Sequence, residues 1–145
     1  MAVRVQREDF DVGAELDALS RGNTDVGAVA SFIGIVRDVP MTLEHYPGMT
    51  EKKLAEIEAE ARQRWPLHAS LVIHRYGRLL PGERIVLVAT ASPHRAAALE
   101  SCAFLIDWLK TQAPFWKLEE GPSGERWVEA RASDDAAAAR WRERG

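Results

Sequence analysis

The chain has 145 residues, 46% of them hydrophobic and 28% charged, and a formal net charge of −3. That balance suits one globular domain spanning residues 1–145 with a sizeable core, and argues against a disordered or fibrous chain. The negative charge argues against a general nucleic-acid surface but leaves room for a local cationic pocket.

No apolar run reaches the ~20 residues that cross a bilayer. The N-terminal stretch MAVRVQREDFDV lacks the apolar centre of a signal peptide. One cysteine, Cys102, permits no internal disulfide and suits a reducing compartment. A soluble, cytoplasmic protein is expected, bound to neither nucleic acid nor membrane.

Val3 and Val5 alternate with polar residues and predict an edge strand ahead of Asp9. Val12, Leu16 and Leu19 fall at helical spacing within 11–20, with Gly22 as a stop. The run GAVASFIGIV (27–36) reads as a strand; Gly34 inside it marks a bulge or a close approach of backbone to a ligand. A short strand over 42–46 leads into a Pro47-Gly48 turn. Thr50 is then placed to cap a helix to about Trp65, with Leu54, Ile57, Ala61 and Trp65 on one face and Pro66 as its end.

Strands over 71–76 and 85–91 are joined through Pro81-Gly82. Ser92 suits an N-cap and Pro93 a first helical position, predicting a helix to about Thr111 that Pro114 bars from continuing. Residues 115–119 and 126–130 form a hairpin pattern around GPSGE. Ser133 is placed to cap a last helix through Trp141. The sum is an α+β chain with mixed or antiparallel strands, without the βαβ rhythm of a doubly wound sheet.

Candidate chemistry centres on LKTQAPFWK (109–117), where Lys110 and Lys117 flank a proline-forced break. Lys110 follows Leu99, Ala103 and Ile106 at spacings of four, three and four, which puts it on or beside an apolar stripe. Two readings stand. The lysine snorkels to water at a helix end, or it is a partly desolvated amine available as base or nucleophile. His94 and Arg95 open the same helix, where free N–H groups favour an anion; the plainer alternative is a solvated helix surface. Arg37, Arg126 and Arg131 sit at strand ends, where a guanidinium suits phosphate or carboxylate, or forms an ordinary surface ion pair.

His45, His68, His74 and His94 show no metal-ligand spacing, so no metal and no cofactor are expected. Cys102, inside a helix and away from any cation, reads as a buried structural thiol.

Taken as ordered strings, LEHYPGM (43–49), RWPL (64–67), His94-Arg95, WLKT (108–111), APFWK (113–117) and RWVEAR (126–131) resemble the large, catalytic subunit of molybdopterin synthase. The resemblance runs from about Gly27 to Trp141. It implies an α/β-hammerhead type of fold with an additional antiparallel β-sheet. The implied activity is sulfur transfer to cyclic pyranopterin monophosphate, which forms the dithiolene of molybdopterin. The sulfur comes from the C-terminal thiocarboxylate of a small ubiquitin-like sulfur-carrier subunit.

A homodimer within a heterotetramer is implied, with pockets that draw on both protomers. Lys110 and Lys117 match the family's catalytic lysines. Arg37, His94, Arg95 and Arg131 match its anion-binding set, and Phe32 an aromatic near the pocket. Ile106 stands where some relatives carry methionine. One departure is plain: relatives have a longer glycine-containing loop after GIVR (34–37), whereas here only residues 38–42 precede LEHYPGM. The competing reading of the same strings is a scaffold that binds the ubiquitin-like carrier without turnover.

Overall fold

The computed structural model describes residues 2–121, 124–128 and 132–143. In chain order the elements are β1 (Ala2–Gln6), α1 (Val12–Ser20), β2 (Ala28–Ile35), β3 (Met41–His45), α2 (Met49–Arg64) and β4 (Ala69–Arg75). Then come β5 (Gly77–Leu79), β6 (Arg84–Ser92), α3 (Arg95–Gln112), β7 (Phe115–Gly121), β8 (Gly124–Val128) and α4 (Ala132–Glu143). Among the described residues they form two four-stranded sheets, ordered β1-β4-β6-β2 and β5-β3-β7-β8. β1 runs parallel to β4 and every other pairing is antiparallel, so the α+β reading holds.

The first sheet is covered on both faces. Val72, Val86, Val88 and Ala30 meet Leu54, Ile57 and Ala61 of α2, Phe104, Leu105 and Leu109 of α3, and Trp141 of α4. Leu71, Ile73, Leu87 and Ala89 point the other way, onto Phe10 and the partly buried Val12, Leu16 and Leu19 of α1. Double burial explains why β4 and β6 read as continuous apolar runs rather than alternating ones. A smaller core of Val36, Met41, Leu43 and Leu79 sits on the second sheet.

Local chemistry corrects several expected boundaries. Ser92 does not cap α3: it is the last residue of β6, and its hydroxyl donates to the Pro66 carbonyl and accepts from the His94 N–H. His94 is the N-cap, without a side-chain bond, and Arg95 is the first helical residue. Thr50 lies inside α2 behind an N-cap at Gly48, and its hydroxyl donates to the Tyr46 carbonyl instead. α4 begins at Ala132, so Ser133 is already helical. β5 escaped the pattern because three residues carry too little periodicity; Gly77, at φ +93°, turns the chain from one sheet to the other.

The buried face of α3 is Ala98, Ser101, Cys102, Phe104, Leu105 and Leu109, while Leu99 is 64% exposed. A helix apolar on most sides does not declare its phase by periodicity. The small residues Ala98 and Ser101 decide it by allowing close approach to the sheet.

Gly27 fixes the entrance to β2 against the loop before α3. Its N–H donates to the Ser92 carbonyl at 3.0 Å, and a Cβ there would stand 2.3 Å from the Pro93 carbonyl oxygen. Backbone cannot yield as a side-chain tip can. Gly27→Ala is expected to lower unfolding stability by about 1–3 kcal/mol in urea titration, and an unchanged midpoint would show that the loop gives way freely.

Candidate active site

α3 stops where Pro114 removes the next N–H. The Ala113 N–H closes the helix onto the Leu109 carbonyl at 3.2 Å, and the Phe115 N–H turns back to the Ala113 carbonyl at 2.9 Å. β7 then pairs with β3, placing Phe115 opposite His45 and Lys117 opposite Leu43. Lys110 in the last turn of α3 is exposed, so the expectation of a partly desolvated amine is not met in the single chain. A cation there complements the helix C-terminus. Lys117 is half-buried, with its Nζ 3.5 Å from the Glu119 carboxylate. Phe115 and Lys117, two apart on β7, share one face of the strand.

Beneath these lysines lies a group that the sequence reading passed over. His74 of β4 is 5% exposed, and its ring stacks on Phe115 with centroids 3.8 Å apart and planes 18° from parallel. Its Nδ1–H donates to the Arg75 carbonyl at 2.8 Å, which leaves Nε2 as the lone-pair nitrogen. Burial pushes the imidazole down to about 4, and the nearby charges of Lys110 and His45 push the same way.

His45 leans on Tyr76 at 4.5 Å and on Phe115 at 6.0 Å. The Thr50 hydroxyl spends its proton on Tyr46, so the 3.2 Å contact with His45 Nδ1 is a bond in which the histidine donates. On the other side of β7, Trp116 meets Tyr46 edge-on at 4.2 Å. The available signal was a histidine inside the apolar run LVIHRY; testing histidines only for metal spacing missed it.

The remaining predicted residues divide between two ends. Arg37 follows β2 and is exposed, 3.5 Å from Asp38, which itself sits at φ +72°. The Val36 N–H donates to the Glu83 carbonyl, so Arg37 lies at the Arg84 end of β6. His74 pairs with Val86 at that same end. His94 and Arg95 are both exposed and lie past the Ser92 end of β6. The fifteen-residue rise along α3 separates Arg95 from Lys110 by ~22 Å.

Phe32 is half-buried, opposite Val88, and packs into the core with Ile106. Gly34 does mark a bulge, and its close neighbour is Val86 Cγ1, 2.8 Å from where a Cβ would stand. Arg131 lies outside the described residues, as does the side chain of Arg126. Cys102 is buried against the Val88 carbonyl, and burial raises its thiol to about 11.

The chain is thus an α+β protein in which α3, ending near Lys110, leads from the first sheet to the strand of the second that bears Lys117. The family model described as "MoaE protein" matches residues 5–112. The molybdopterin synthase catalytic subunit of Pseudomonas aeruginosa is 57% identical over 150 residues, covering 99% of this chain and all of that one. The molybdopterin biosynthesis MoaE protein of Burkholderia ambifaria superposes with a TM-score of 0.85 at 57% identity, covering 97% of this chain and 98% of that one. At 21% identity a Helicobacter pylori structure, a complex of subunits 1 and 2 of molybdopterin-converting factor, shares the fold with a TM-score of 0.74, covering 89% of this chain and 91% of that one. This chain belongs to the MoaE family.

Two outcomes follow from the buried groups. Between the free value of about 6.5 and the native value of about 4, the unfolded chain takes a proton on His74 that the native chain refuses. Stability from this group is therefore complete above about pH 6.5 and declines as pH falls toward 4, by about 3 kcal/mol in all. Urea titrations of wild type and His74→Phe should diverge by that slope, and parallel pH profiles would contradict it. Cys102→Ser should keep full sulfur transfer, measured as dithiolene formed per subunit, because a buried neutral thiol is no sulfur carrier.

Proposed function

We propose that the chain is the catalytic subunit of a molybdopterin synthase, moving sulfur from the C-terminal thiocarboxylate of a small ubiquitin-like subunit to cyclic pyranopterin monophosphate. The observation that carries this reading is the arrangement of Lys110 and Lys117 on either side of one pinned turn, in a chain of this family. Both reactants are anions, and cations placed in the strand and helix joints suit them despite the negative net charge.

Lys110 has no ion-pair partner among the described residues, which leaves its amine available to the incoming tail. Lys117, held by Glu119, orients that tail. The thiocarboxylate sulfur bonds to a substrate carbon as that carbon's bond to oxygen breaks, and the departing oxygen takes up a proton. Water then cleaves the sulfur–acyl bond and the partner leaves as a carboxylate. Lys110 assists by moving a proton or by stabilising the developing negative charge. Two sulfurs require two tails in succession.

The separation of Arg37, Lys110 and Lys117 from His94 and Arg95 supports a homodimer. Strand β2 is one edge of the first sheet, and its Val29 and Ile35 are 40% and 56% exposed. An open apolar edge invites another strand. A second copy lying antiparallel along β2 sets the 28 end of one strand beside the 35 end of the other. His94 and Arg95 of one protomer then approach Arg37 and Lys110 of its partner, and serve the phosphate. One small subunit at each end of that dimer gives the heterotetramer, working in the cytoplasm.

The test mixes Lys110→Ala with thiocarboxylated partner and substrate. Dithiolene formation should fall by about 100-fold or more, with partner binding retained. Formation at the wild-type rate would remove Lys110 from the mechanism, and partner binding without any turnover by the wild type would favour the scaffold.

A further inference from the structure

Three features of His74 exceed what packing requires. Its site in β4, opposite Val86 on one side and Val5 on the other, is one that an aliphatic residue would fill at lower desolvation cost. Its Nδ1 is committed to the Arg75 carbonyl, whereas Nε2 makes no hydrogen bond with the described residues. Its ring lies flat on Phe115, a geometry that a branched aliphatic side chain does not reproduce.

Phe115 lies within the segment that matters, between the two lysines. It is the first residue of β7, five after Lys110 and two before Lys117. Its backbone is tied to Ala113 on one side and registered against His45 on the other. His45 in turn rests on Tyr76, the residue that follows β4. Contacts to both the ring and the flanking strand thus end on residues 74–76. His74 belongs to the well-buried first sheet and Tyr76 follows that strand directly, while Phe115 belongs to the second sheet.

We propose that His74 is a positioning residue for sulfur transfer: its stack on Phe115 anchors the Ala113-Pro114 turn to the first sheet and so sets the separation of Lys110 and Lys117. This rests on the sulfur-transfer reading. His74 touches neither reactant; it acts through Phe115. The lysines then approach the tail as a pair of fixed spacing rather than as two mobile side chains, and misplacement by an ångström in such a pair is costly.

The experiment compares His74→Leu and His74→Phe in the complete enzyme with thiocarboxylated partner and substrate. His74→Leu keeps the volume and loses the flat stack. It should lower kcat about 10-fold or more while KM for the partner stays within about 2-fold. His74→Phe keeps the stack and should recover kcat to within about 3-fold. Wild-type kcat in His74→Leu, or equal impairment in both variants, overturns the proposal.

If His74→Leu does not fold, Phe115→Leu tests the same stack from the half-buried side, and an unchanged kcat there overturns it equally. Amide hydrogen exchange separates this idea from the functional reading. Exchange over 113–117 should quicken about 10-fold in His74→Leu, with the first sheet unchanged. Quickened exchange in a protein whose wild type transfers no sulfur keeps the anchor and rejects the reaction. Unaltered exchange rejects the anchor.

Discussion

Burial of β4 and β6 on both faces is the constraint from which the rest follows. With α1 on one side and α2, α3 and α4 on the other, each residue of these strands has its direction fixed by parity. A slip of one residue would turn every one of them toward the wrong layer. α3 must return along β6 once β6 ends at Ser92, and the Gly27 contact with Pro93 leaves that return no slack. The helix therefore delivers Lys110 to the end of the sheet where His74 and Arg37 already lie.

The second sheet has a thinner core, and its attachment to the first is correspondingly specific. It leans on side chains where β4 ends and β6 begins: the His74–Phe115 stack, the His45–Tyr76 contact, and Ile85 packed against the cluster that holds Leu79. A neutral imidazole serves there because an aromatic face and a committed Nδ1–H hold one orientation. A charged ring in the same place would have to shed its water without a counter-charge, with Lys110 close by. Architecture and electrostatics thus meet in one residue. The group that joins the sheets is also one whose protonation the charge of Lys110 opposes.

Much of this was legible in the sequence. The strands of the first sheet announced themselves through apolar runs, and α1 through the helical spacing of Val12, Leu16 and Leu19; the Asp11 carboxylate that accepts the Ala14 N–H at its start was not singled out. The two lysines were conspicuous because a proline stands between them. What escaped depended on distance in space. The phase of α3 was set by which small residues touch the sheet, so Leu99 pointed outward although its spacing promised a core position. His74 looked like one more histidine without metal spacing, since its partner Phe115 is 41 positions away in the chain. That His94 and Arg95 open the helix that Lys110 ends was legible; that Arg37 and His74 share one end of the first sheet follows from the pairing of its strands, which no local string encodes.

The cations at the lysine end are not equally available. Lys117 is half-buried and held by Glu119, so drawing it to a ligand means separating a partly desolvated pair. Arg37 and Asp38 are each more than three-quarters exposed, and an ion pair in water at that exposure is worth little. Asp38 also sits in the left-handed region, where a short polar side chain is tolerated at modest cost. The abbreviated connection between β2 and β3 therefore holds Arg37 near the site while binding its guanidinium only weakly. In the proposed site an anion replaces Asp38 at little expense, whereas Lys117 stays with Glu119. In the proposed reaction, one held cation, Lys117, and one weakly paired cation, Arg37, suit a site that accepts one tail, releases it and accepts a second.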